Sequence, residues 1–141
     1  MKLQLIKKAG IACAALGLLA GMQAANAHHS GAMFDGSKRV TINGAVKEVR
    51  WVNPHVTLTI YGTIKEGQEP TPYLLEMTSP SVLSRLGWTK STFKPGDQVK
   101  AEFSPLYDTE QHGGSLKSIT SVETGKTFVP NLIEQENIDN N

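Results

Sequence analysis

The sequence predicts a mainly β protein, an OB-fold-like five-stranded, partly open barrel with one short helix between strands three and four. Three observations carry the prediction. Short stretches of alternating apolar and polar residues recur five times. A Ser-Pro start and a Gly stop mark one brief helix. That helix falls after the third stretch and before the fourth, the order of this barrel. A five-stranded sheet of another topology, with one helix packed on it, is the rival arrangement.

The elements follow in order. Val40, Ile42 and Val46 share one phase of a period-2 pattern, and Val49 and Trp51 take up the other. A phase slip of that kind predicts a bulge or bend in a long first strand, close to Gly44. Val56, Leu58 and Ile60 alternate with Thr57, Thr59 and Tyr61, the clearest half-buried strand of the chain. Residues 62–71 form a mainly polar loop, and Tyr73, Leu75 and Met77 mark a third strand. Ser79 precedes Pro80 as an N-cap, Val82, Leu83 and Leu86 supply an apolar stripe, and Gly87 closes a helix of about two turns. Trp88 packs beneath that helix, and Trp51 is read as core.

Lys94-Pro95-Gly96-Asp97 has Pro and Gly at the central positions of a type II turn and delivers the chain to Val99, Ala101 and Phe103 in strand four. Residues 104–115 look like a loop, and Leu116 to Val122 form a fifth strand with weaker alternation. Residues 28–39 show no strand periodicity and are expected as an extended segment over the surface. The barrel domain then occupies residues 40–128. Residues 129–141 are an acidic tail, with Glu134, Glu136 and Asp139 and no basic residue, expected to be disordered.

The first 27 residues read as a signal peptide. Lys2, Lys7 and Lys8 precede an apolar run from Ala9 to about Met22, and Ala25 and Ala27 satisfy the A-x-A cleavage rule. The run is too short to span a bilayer, so no transmembrane segment is expected in the mature chain. The expected location is the periplasm. Removing 27 of the 141 residues leaves 114, enough for one domain, and takes away Cys13, the only cysteine. Disulfides and cysteine-ligated metal centres are therefore excluded from the mature chain. Three of the 14 basic residues leave with the signal, so 11 face 13 acidic ones and the net charge is near −2. Nucleic-acid binders are ordinarily basic, so both export and charge argue against that partner.

Cleavage after Ala27 would make His28 the first residue. It then offers an α-amino nitrogen and an imidazole together, and His29 adds a second imidazole. Three nitrogens in a T-shaped arrangement suit divalent copper, which prefers tetragonal nitrogen sites. Solvated histidines in a mobile segment would read the same way. Ser30 also stands at mature position three, where the established amino-terminal copper motif has histidine. Asn53-Pro54-His55 shapes a tight turn whatever His55 does, but His55 shares the outward phase of Thr57, Thr59 and Tyr61. In an OB-fold the loops carrying His55 and His112 flank the ligand face. The metal-ligand candidates are thus His28, His29, His55 and, as a fourth, His112, while Tyr61, Thr57 and Thr59 are the candidate ligand face.

Asp108, Glu110 and His112 alternate within one loop, as three ligands or as ordinary solvated residues. Met33 and Met77 are soft-ligand candidates for Cu(I), Met77 being better read as core. No serine/histidine/acid spacing, phosphate-binding loop or paired-carboxylate motif stands out, so no catalytic residue is assigned.

A signal peptide ending before His28-His29-Ser30, then Phe34-Asp35, Gly44-x-Val46, Asn53-Pro54-His55, Leu86-Gly87-Trp88 and Pro95-Gly96-Asp97, resembles a family of small exported bacterial proteins classed only as a domain of unknown function. The resemblance covers about residues 28–123 and implies an exported single domain with no assigned activity. Three functions are carried forward. The first is a non-enzymatic binding module for copper or another divalent ion. The second is a module that uses the barrel face for a peptide, a glycan or an envelope protein. The third is a redox-active copper site with the His terminus as its brace, ranked last because the small face shows no shaping for a substrate.

Overall fold

The computed structural model describes residues 30–139. A 3₁₀ turn at Ser30–Met33 leads into β1 (Val40–Arg50), β2 (Thr57–Thr63) and β3 (Thr71–Glu76). Helix α1 (Pro80–Arg85) follows, then β4 (Gln98–Pro105), β5 (Gly113–Ser121), the short β6 (Thr127–Phe128) and helix α2 (Leu132–Asp139). The hydrogen-bonded order is β3-β2-β1-β4-β5-β6, and β3 pairs again with β5. The first five strands therefore close into the expected barrel with the expected helix between strands three and four. Closure is complete rather than partial: Leu74, Leu75 and Glu76 run parallel to Gly113, Gly114 and Ser115.

Alternation builds the interior. Ile42, Leu58, Ile60, Leu75, Phe103 and Ile119 are all buried to within 1% and form one core with α1's Leu83. Each such side chain contributes roughly 1.5–3 kcal/mol over its exposed state. The phase slip in β1 is a register shift between Val46 and Glu48, two residues beyond Gly44, which lies opposite Gly62. Trp88 is buried and donates its indole N–H to the Val129 carbonyl at 2.7 Å. Trp51 is only half-buried against the core edge. Gly96 has φ +99° and Asp97 N–H bonds the Lys94 carbonyl, so the turn before β4 forms as its residues require.

Three segments differ from expectation. The loop after β4 is shorter than residues 104–115, because Ser104 and Pro105 end β4 and Gly113 and Gly114 begin β5. The glycines look like a turn signal but mark close backbone approach. A Cβ on Gly114 would strike the Ser104 carbonyl and the Phe103 ring, and one on Gly113 would meet the Leu74 carbonyl. The segment before β1 is not simply extended: after its 3₁₀ turn, Phe34 bridges Leu106, Tyr107 N–H bonds the Met33 carbonyl and Asp35 N–H bonds the Pro105 carbonyl. The acidic tail is helical over Leu132–Asp139, where Glu134 meets Arg39 at 3.2 Å and Lys117 at 3.9 Å. Residues 1–29, with the expected signal peptide, lie outside the described residues, and among those described no helix is long and apolar enough to cross a membrane.

Candidate functional site

Strand β3 organises the site. Tyr73 and Leu75 point into the barrel, so Pro72, Leu74 and Glu76 point out. On the neighbouring strand Tyr61, Thr59 and Thr57 stand opposite those three in register. Tyr61, Thr59 and Thr57 therefore share one outward face with them, Tyr61 half-exposed and both threonines partly covered. Its apolar content lies on β3, where Leu74 is 52% exposed.

Beside this face runs a groove of about 380 Å³, lined by Met33, Phe34, Pro72, Leu74 and Leu106, with Glu76, Glu110 and His112 among its polar groups. A smaller hollow of about 210 Å³ holds His55, Thr78, Ser115 and Asn131, and it shares Phe34 and Glu76 with the groove. The two histidines of the flanking loops thus line adjoining hollows, with Phe34 and Glu76 common to both. His112 is exposed and stacks on the Tyr73 ring, centroids 5.0 Å apart and planes 16° from parallel.

His55 lies just beyond the cis Asn53-Pro54 peptide. Val56 N–H bonds the Thr78 carbonyl and Met77 N–H bonds the Val56 carbonyl, fixing the backbone beside it. Its Nδ1 lies 2.8 Å from Glu76 Oε1, with both side chains about one-third exposed. In the neutral ring this bond puts the proton on Nδ1 and leaves Nε2 with a free lone pair. A carboxylate behind an imidazole is the arrangement that orients histidine ligands in metal sites.

Among the described residues, no three His, Cys, Asp or Glu side chains form a group able to hold a metal ion. Asp108, Glu110 and His112 do not combine as three ligands: Asp108 accepts the Glu110 N–H at 3.0 Å and the Gln111 side-chain amide at 2.8 Å, which shapes the loop instead. Met77 is buried in the core, whereas Met33 is half-exposed in the groove. His28 and His29 lie outside the described residues.

Sequence reasoning missed Glu76, Leu74 and Phe34 as site residues. The first two stand in the phase opposite Tyr73, Leu75 and Met77, and a leucine in an outward phase is itself a sign of a binding face. Phe34 lies within the segment 28–39, which has no periodicity, so no local pattern marks it as part of a site.

Asp35, Lys38 and Lys117 lie beside the site and are shifted by their neighbours or by burial. The Lys38 ammonium, then the Ser37 hydroxyl, hold the Asp35 carboxyl below its usual range, and Asp35 in turn raises Lys38. Burial pushes Lys117 down against the opposing pull of Glu134.

No curated protein and no solved structure matches the chain. A family profile matches residues 15–115, most of the chain, and by that match the protein belongs to the family of unknown function DUF6152.

Proposed function

We propose that the mature protein is an exported, non-enzymatic metal-binding module, in which the amine and imidazole of His28, the imidazole of His29 and Nε2 of His55 hold copper or a similar divalent ion, with His112 nearby as a fourth group. The observation that carries the reading is the His55–Glu76 pair at 2.8 Å, which orients the ring and leaves Nε2 for a cation. Chain reach supports it: Phe34 lines the same hollow as His55, and His28 is six residues upstream, a span of up to about 15 Å with the 3₁₀ turn at Ser30–Met33 in between. Three nitrogens from the terminus and one from His55 would fill a tetragonal set of the kind Cu(II) prefers. Export rests on the basic-apolar-small pattern of residues 1–27.

The test uses protein recovered from the periplasm, whose N-terminal mass should begin at His28. Titrated with Cu(II), it should bind at one equivalent. His55→Ala, or one extra residue ahead of His28, should each weaken binding at least tenfold. Unchanged affinity in both variants, or a mature chain beginning elsewhere, would overturn the reading.

A further inference from the structure

The groove beside β3 has a chemistry that the metal reading uses only through Glu76, whose Oε1 faces His55. Pro72, Leu74 and Glu76 all line it, and all project from the outer face of one strand. Alternate residues of a strand lie about 6.6 Å apart on one face. The floor therefore offers two apolar positions and then a carboxylate, at the spacing with which an extended chain presents its own alternate side chains. Met33, Phe34 and Leu106 form further apolar lining. Met33, Leu74 and nearby Tyr61 are each about half-exposed, a local surplus of apolar surface. The charge is one-sided: Glu76 and Glu110 line the groove, and among the described residues neither lysine nor arginine does. Glu110 is exposed at the rim, in the β4–β5 loop that Asp108 holds in shape.

We infer that this groove docks an extended peptide segment of a partner protein, with apolar side chains at two alternate positions and a lysine or arginine at the next. The apolar pair lies over Pro72 and Leu74 within the wall of Met33, Phe34 and Leu106. The cationic side chain meets the carboxylates of Glu76 and Glu110. A volume of about 380 Å³ lies within the range of sites that bury small ligands, and accommodates a few side chains rather than a folded surface.

The experiment measures fluorescence anisotropy of labelled peptides on the processed full chain, with a chelator present so that metal plays no part. The probe is Ser-Leu-Ser-Leu-Ser-Lys, read in the better of its forward and reversed sequences. Three controls replace its lysine with glutamate, replace both leucines with serine, or place the leucines side by side. The probe should bind at least tenfold more tightly than every control and weaken with added salt. Leu74→Ser and Glu110→Gln should each reduce its affinity at least fivefold, while Val122→Ser, at an exposed position away from the groove, should not. Melting curves confirm that each variant is folded. Absence of probe binding, equal binding of any control, or indifference to Leu74→Ser and Glu110→Gln would overturn the inference. None of these outcomes bears on the copper titration, because neither substituted residue is among its ligands.

Discussion

Gly114 stands where a strand backbone and an aromatic ring leave no room for a side chain. Its hypothetical Cβ meets the Ser104 carbonyl oxygen, and backbone in a closed ladder cannot yield as a flexible side chain can. Overpacking of this kind costs about 1–3 kcal/mol or more. Gly114→Ala should therefore lower the melting temperature and speed amide exchange along Leu74–Glu76, where β3 meets β5; an unchanged melt would show that the seam can widen. A different residue-scale effect belongs to Asp35. Its folded-state pKa is depressed, first by Lys38 and then by Ser37. The stabilisation is present above the unfolded value of about 3.9 and is lost as pH falls through the lower folded value. Asp35→Asn should accordingly lose stability at neutral pH and close part of its gap to the parent below about pH 4. Melts across pH 3–7 that stay parallel would contradict that sign.

Among the elements, those with local patterning were the legible ones. Strands β1, β2 and β4, α1 and the Pro95-Gly96 turn could be read because alternation, capping and turn chemistry act over a few residues. The start of β5 could not, because Gly113 and Gly114 are required by strands distant in sequence. Helix α2 is the same lesson in charge. Three acids and no base suggest a solvated tail, yet Glu134 finds Arg39, 95 residues away, and Arg39 also bonds Ser104 Oγ at 2.8 Å. At the site, the outward phase of His55 was visible in the sequence, whereas its Glu76 partner on another strand was not. Partly exposed ion pairs contribute only about 0.2–1 kcal/mol each. Glu134→Ala should thus leave global unfolding almost unchanged while amides of Leu132–Asp139 lose protection in hydrogen exchange. Retained protection would mean that contacts other than Glu134 hold the helix.

For the whole molecule, the family match stops at Ser115, inside β5, but the barrel does not. Leu116 and Ile119 are fully buried, Val129 is nearly so, and the β4–β5 ladder runs on to Ser121. At roughly 1.5–3 kcal/mol each, those three side chains represent about 5–9 kcal/mol, comparable with the entire stability of an ordinary domain at about 5–15 kcal/mol. A chain ending at residue 115 also loses the Val129 carbonyl that satisfies the buried Trp88 indole. One ending at residue 130 keeps the core and the whole ladder, and gives up α2 with the Glu134 pairs. The shorter chain should show no cooperative thermal transition by circular dichroism, and the longer should melt within a few degrees of the parent, about the effect of 1 kcal/mol in a domain of this size. A cooperative melt from the chain ending at 115 would mean that β1 to β4 fold without the strand that closes them, and the closed-barrel account of stability would fail.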